Sequence, residues 1–299
     1  MTYSEIWHRI ATSYDDGEAR AIARILIEEL FGLSYADIVC GATEQLSADD
    51  TLRLDTAVRR IEQGEPLQHV LGYADFCGNR FCVNGSVLIP RPETEWLVDE
   101  GAKLMDGCIA SDETQHKAPH SPKRILDIGT GSGCIAISLK LRLGDAYVEA
   151  WDISEEALRT AQDNADALKA EVVFRKRDAL RADNTAAPWD LIVSNPPYIC
   201  DSERSAMDDN VLLHEPHTAL FVPDDDPLRF YRAIARYALL TLNIGGSLLF
   251  ECNTRYAEAT GTMLSDMGFE EVTISDDCFN LPRFVRGTSP SQPSPSGRA

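Results

Sequence analysis

The four residues Asn195-Pro196-Pro197-Tyr198 follow directly on the apolar run Asp190–Ser194. The run reads as a strand, and open α/β sheets place their sites at the C-terminal ends of strands. Two consecutive prolines carry no amide hydrogen, so the carbonyls around them join no ordinary ladder or helix. The Asn195 side-chain oxygen and the Pro196 carbonyl are then free to accept from one planar –NH2 group, while Tyr198 lies against its face. An amide or exocyclic amine is a poor nucleophile because its lone pair is delocalised. Two fixed acceptors would aim that lone pair at an electrophilic carbon and stabilise the charge growing on nitrogen. The arrangement suits methyl transfer to such a nitrogen. An ordinary Asn-Pro turn is the plainer reading. The order of the four residues at a strand end, downstream of a glycine turn, counts against it.

That glycine turn is Gly129-Thr130-Gly131-Ser132-Gly133, which follows the apolar stretch Arg124–Ile128. Glycines let the chain turn tightly and let a ligand approach backbone amides at a helix start. The spacing is G-x-G-x-G and not the dinucleotide G-x-G-x-x-G. Asp152 stands after the next strand, Tyr147–Trp151, where a carboxylate can accept both hydroxyls of a ribose. Asp152 could instead cap the following helix, but Ser154 suits that task better. Together the turn and the acid point to a nucleoside cofactor. His214, Glu215 and His217 form an H-E-x-H pattern, yet two closely spaced histidines need further ligands, so no metal is expected there.

From residue 124 onward strands and helices alternate. Val172–Lys176, Asp190–Ser194, Ser247–Cys252, Val272–Ser275 and the short Arg283–Arg286 read as strands, with helices at 134–143, after Ser154, near 227–242 and at 255–267. This rhythm predicts an α/β domain with a mostly parallel sheet covered on both faces. Residues 1–72 read as a small helical bundle, with stripes such as Ile22, Ile25, Leu26, Leu30 and Leu54, Val58, Ile61 taken as core. Residues 73–90 read as a β-hairpin linker, and 91–286 as the catalytic unit with a helix through Met105. Residues 106–123 read as a polar loop holding His116 and His120, and 287–299 as a disordered tail.

Lys and Arg number 28 against 48 Asp and Glu, a net charge of −20 over 299 residues. Such a chain is repelled by phosphate backbones and anionic lipid, so neither DNA nor a membrane is an expected partner. Eight cysteines contain no C-x-x-C pair, which favours reduced, mostly packed thiols over a zinc or redox motif. The N-terminus lacks a basic region followed by an apolar run, and no apolar stretch nears the roughly 18 residues of a membrane helix, so the expected compartment is the cytoplasm.

The chain resembles the class I S-adenosylmethionine-dependent methyltransferases, and Asn195–Tyr198 matches the NPPY motif of their amino-group branch. Within that class it is similar to the HemK/PrmC-type N5-glutamine methyltransferases of peptide chain release factors. Gly64-Glu65-Pro66-Leu67-Gln68-His69-Val70-Leu71-Gly72, Leu88-Ile89-Pro90-Arg91-Pro92-Glu93-Thr94-Glu95 and Glu215-Pro216-His217-Thr218-Ala219-Leu220 carry the closer match. The resemblance covers residues 1–286, and its pattern omits 106–123. It implies a Rossmann-like domain with a mostly parallel seven-stranded sheet, preceded by a helical domain that binds the protein substrate. It implies S-adenosylmethionine as cofactor, held by Gly129 to Gly133 at its methionine part and by Asp152 at its ribose. Asp178 and Ala179 fall where relatives contact the adenine, with alanine in place of a usual bulky aromatic. Asn195, Pro196, Pro197 and Tyr198 would hold the substrate glutamine, with Asn195 also near the cofactor. His214 stands where an aromatic is usual. Arg91 and Glu93 fit a structural role at the domain junction, or a local ion pair. A glutamine methyltransferase of a ribosomal protein, an adenine-N6 methyltransferase of nucleic acid and a catalytically silent cofactor-binding module are the alternatives. The Pro90–Glu93 segment, the net charge and the intact Asn195–Tyr198 segment respectively count against them.

Overall fold

The computed structural model describes residues 1–110, 122–182 and 188–291. The chain opens with five helices, α1 (Tyr3–Ile10), α2 (Asp16–Phe31), α3 (Tyr35–Val39), α4 (Ala48–Glu62) and α5 (Leu67–Leu71). Their starts are written in the sequence. Thr2 accepts from the Glu5 amide while Glu5 accepts from the Thr2 amide, Ser34 and Asp37 repeat this reciprocal pair at α3, and the side chains of Asp15 and Ser47 cap α2 and α4. Each such cap is worth about 1 kcal/mol. Ile6, Ile10, Leu26, Ile27, Leu54, Val58 and Ile61 converge in one fully buried core. Arg9 of α1 reaches Asp55 and Glu62 of α4, both at 2.7 Å, and locks the pair edge to edge.

A hairpin follows, β1 (Tyr73–Phe76) and β2 (Asn79–Cys82), turning through Cys77 and Gly78, both at positive φ. Then come α6 (Glu95–Ala110), β3 (Arg124–Ile128), α7 (Cys134–Leu143), β4 (Tyr147–Asp152), α8 (Glu155–Leu168), β5 (Val172–Lys176) and β6 (Trp189–Ser194). After them run β7 (Ile199–Cys200), α9 (Asp209–His214), α10 (His217–Leu220), β8 (Phe221–Val222), α11 (Arg229–Thr241), β9 (Leu242–Glu251), α12 (Ala257–Met267), β10 (Glu270–Asp276) and β11 (Pro282–Thr288). Seven strands form one sheet in the order β10-β11-β9-β6-β3-β4-β5. Its five-strand body is parallel, while at one end β11 alone runs the opposite way, antiparallel to both β9 and β10.

Successive residues of the central strands serve opposite faces. Ile125, Leu191, Val193 and Leu249 join Leu97, Ile135 and Leu139 on one side, whereas Leu126, Ile192, Leu248 and Phe250 join Tyr231, Ile234 and Leu264 on the other. Burial on both faces is why these strands read as unbroken apolar runs. The chain winds outward from β3 to β5, then returns to lay β6 on the other side of β3. The C-terminal edge beside that reversal gathers the glycine turn, Asp152, Asp178, Asn195 and Glu251. This switch point is where such sheets hold ligands.

Asn164 of α8 fastens the hairpin to the catalytic unit. Its side-chain oxygen accepts from the Cys82 amide at 2.6 Å, and its –NH2 donates to the carbonyls of Cys82 at 3.1 Å and Ser132 at 2.9 Å. Asn164 is buried, so each of these bonds also covers a group that would otherwise be desolvated without a partner.

Several boundaries differ from the sequence reading. Helix α6 runs past Met105 to Ala110, and β9 begins at Leu242 rather than Ser247. Gly287 and Thr288 do not start a disordered tail. They pair with Leu248 and Ser247 in β11, and the Ser289 amide donates to the Gly246 carbonyl at 2.7 Å. Gly287 fits because a Cβ there would stand 3.1 Å from Phe269. His116, His120 and residues 292–299 lie outside the described residues. The described cysteines are free thiols, but Cys40, Cys82 and Cys278 are exposed rather than packed.

Candidate active site

The turn after β3 is held from below. The amides of Gly129 and Thr130 both donate to the Trp151 carbonyl, at 2.8 and 2.9 Å. The Gly131 amide donates to Asp152 at 3.0 Å, and the other Asp152 oxygen accepts from the Ser154 amide at 2.9 Å. Gly129, Gly131 and Gly133 all have positive φ. A side chain on Gly129 would project toward the Asn195 carbonyl, with its Cβ 3.9 Å from that oxygen, and one on Gly133 would strike Ile137 at 2.9 Å. The first glycine is favoured by its positive φ and borders a gap, and the third lets α7 start close against α8.

That gap is a cavity of about 320 Å³ lined by Gly129, Asp152, Asp178, Ala179, Pro196 and Pro197 among others. Its size and its mixture of apolar wall and few polar groups are those of a small-molecule site. Gly131, Thr130, Ser132 and Gly133 do not line it. The Thr130 hydroxyl donates to Asp127 at 2.6 Å, and the Ser132 carbonyl accepts from Asn164, so these residues shape the turn instead. Arg229 and Phe230 of α11 also line the cavity. Nothing in their spacing singled them out, because they reach the site only through the packing of α11 beside residues 179–181.

Asn195 and Tyr198 face a second, smaller cavity of about 160 Å³, with Leu88, Arg91, Met207 and Val211. The Asn195–Tyr198 turn is therefore a partition, prolines on one side and the Asn and Tyr side chains on the other. Below it, the Ser194 hydroxyl donates to the Ile128 carbonyl at 2.6 Å and ties the ends of β6 and β3 together. The Tyr198 hydroxyl donates to Glu251 at 3.2 Å, and Thr94 donates to the other Glu251 oxygen at 2.7 Å. Burial pushes the Tyr198 hydroxyl far up from its ordinary range, so it stays protonated.

Arg91 does not pair with Glu93. Its guanidinium meets Glu215 at 2.5 Å, and Glu215 also accepts from the Ile89 amide at 3.2 Å. The Glu215 side chain is wholly buried, so this pair stitches residues 89–91 to the α9–α10 corner. With its carboxylate so engaged, Glu215 is not offered to a metal beside His214 and His217. The His217 ring lies 2.9 Å from the Leu212 carbonyl.

Two buried carboxyls give the site a pH signature. Burial pushes Asp127 up to about 7 and Glu251 up to about 7. A carboxyl that holds its proton more tightly when folded stabilises the fold at low pH and loses that contribution as pH rises from the ordinary carboxylate range through 7. Asp127→Asn should therefore flatten the fall in urea midpoint between pH 5 and 7.5. Equal slopes in variant and wild type would show that Asp127 does not titrate there.

Residues 8–72 match the model of the PrmC N-terminal domain, and residues 96–220 match that of the methyltransferase small domain. A release factor glutamine methyltransferase of Bacteroides thetaiotaomicron is 43% identical over 91% of this chain and 93% of its own. Those of Flavobacterium psychrophilum and Neisseria gonorrhoeae are 36% and 35% identical over 93% and 89% of this chain, and over 94% and 92% of theirs. The chain belongs to the release factor glutamine methyltransferase family. Its fold is shared with the hMettl16 catalytic domain, solved in complex with MAT2A 3'UTR hairpin 6, at a TM-score of 0.53 and 16% identity, covering 81% of this chain and 82% of that one. That likeness concerns the fold alone. Among the described residues no helix of this family member is long and apolar enough to cross a membrane.

Proposed function

We propose that this protein transfers a methyl group from S-adenosylmethionine to the side-chain amide nitrogen of a glutamine in a peptide chain release factor, in the cytoplasm. The partition built by Asn195–Tyr198 between a cofactor-sized and a side-chain-sized cavity carries this reading. S-adenosylmethionine supplies an electrophilic methyl on a sulfonium. Around it, the glycine turn leaves room at Gly129, and each Asp152 oxygen keeps a lone pair for a ribose hydroxyl beyond its backbone bond. Asp178 and Ala179 border the adenine end, where Phe230 offers the aromatic surface that Ala179 lacks.

On the other side, the Asn195 oxygen and the Pro196 carbonyl accept the two hydrogens of the glutamine –NH2. This points the nitrogen lone pair through the partition and stabilises the positive charge that grows as the methyl arrives. Tyr198 covers the planar amide. No strong base is needed, because the proton leaves after transfer, when the nitrogen is acidic. The helical bundle, residues 1–72, docks the protein substrate, and the hairpin at 73–90 joins it to the methyltransferase domain, which runs from 91 through the end of β11 at 288.

Release factor, ribosomal protein and DNA offered side by side with a radiolabelled methyl donor test this directly. Label should enter the release factor alone, and a release factor with its target glutamine replaced by glutamate should take none. Comparable labelling of ribosomal protein or DNA would overturn the assignment.

A further inference from the structure

Asparagine can present either end of its amide to a ligand. The two ends have the same size, so packing does not choose between them, while the chemistry above needs the oxygen outward. The choice is made by a buried chain of hydrogen bonds. Glu251, at the end of β9, has no exposed surface. Its carboxylate accepts from the Thr94 hydroxyl at 2.7 Å and from the Tyr198 hydroxyl at 3.2 Å. Arg283 of β11 and Glu93 are the charged groups facing it, and Arg283 is itself held by Asp277 at 2.8 Å.

A hydroxyl has one proton. With Glu251 ionised and that proton given to it, Thr94 retains only lone pairs for its remaining neighbour, the Asn195 –NH2 at 3.4 Å. Asn195 must then turn its –NH2 inward and its oxygen toward the smaller cavity. Residues 94, 195 and 251 come from three distant parts of the chain and meet only here.

We infer that Thr94 and Glu251 are positioning residues that lock the Asn195 amide with its oxygen outward, and so make the site select an –NH2 donor over a carboxylate. This rests on reading the smaller cavity as the glutamine subsite. A glutamate side chain would meet two acceptors and be repelled. Once the lock is removed, the Asn195 amide is free to rotate and donate to that carboxylate.

The test uses the full chain, a release factor and the same factor with its target glutamine changed to glutamate, the latter as an inhibitor. Thr94→Val should lower kcat on the natural factor about tenfold or more, while leaving S-adenosylmethionine affinity within about twofold. It should also tighten inhibition by the glutamate form about tenfold relative to KM for the natural one. Thr94→Ser should recover the wild-type ratio, since it restores the hydroxyl. Glu251→Gln puts a donor against one of the two hydroxyls and should shift the ratio in the same direction as Thr94→Val. Undiminished kcat and an unchanged inhibition ratio in Thr94→Val, with active wild type, would overturn the lock. A wild type inactive on the release factor would overturn the parent reading and this inference with it.

Discussion

Asn195→Ala should reduce turnover on a release factor by about 10²–10³, the usual cost of deleting one preorganised contact to a developing charge. The loss should fall mainly on kcat, because the Asn195 oxygen matters most when the amide nitrogen becomes positive. Cofactor affinity should suffer less, since the prolines and not the Asn195 side chain line the larger cavity. Single-turnover rates at saturating cofactor separate the two effects. Near-normal turnover in Asn195→Ala would make the Asn195–Tyr198 segment a structural turn, leaving the fold intact and the mechanism wrong.

Asp152→Ala should weaken S-adenosylmethionine binding about ten- to a hundredfold, by analogy with loss of a charge-assisted pair of hydrogen bonds. The residue acts twice. It faces the cavity, and it holds the Gly131 and Ser154 amides in place. Burial raises its carboxyl above the usual range, and the backbone amides pull it back down. Calorimetric titration measures the loss, and circular dichroism confirms that the variant is folded. Unchanged affinity in a folded variant would remove Asp152 from the site.

Gly129, Asp152 and the Asn195–Tyr198 segment were legible in the sequence because each follows a strand that announces itself as an apolar run, whereas Asp178 and Ala179 were indicated only by the family resemblance. Gly129, Asp152, Asp178, Ala179, Pro196 and Pro197 come to one cavity. What local pattern could not reveal are partners far apart in the chain. Thr94 and Glu251 carry no spacing signal, being 157 residues apart, and Arg91 finds Glu215 across 124 residues instead of Glu93 beside it. Phe230 read as one more apolar residue of a helix, and only the packing of α11 brings it to the cavity. The strand ends were misjudged for a related reason. Gly287 and the Gly245-Gly246 pair look like turn residues, yet Gly287 sits under Phe269 and Gly246 between the carbonyls of Asn243 and Asp190, where no Cβ fits.

The partition also bears on how such a protein can change over time. Pro196 and Pro197 line one cavity and Asn195 and Tyr198 the other, so on the proposed reading the walls for donor and acceptor are built from largely separate residues, with the Pro196 carbonyl alone serving both. Mutations among Leu88, Met207 and Val211 can reshape the room for the incoming side chain without touching the room for the methyl donor. Drift toward a new target then needs no rebuilding of donor recognition. One sheet edge can thus be handed down through a lineage whose targets diverge while its methyl source stays the same.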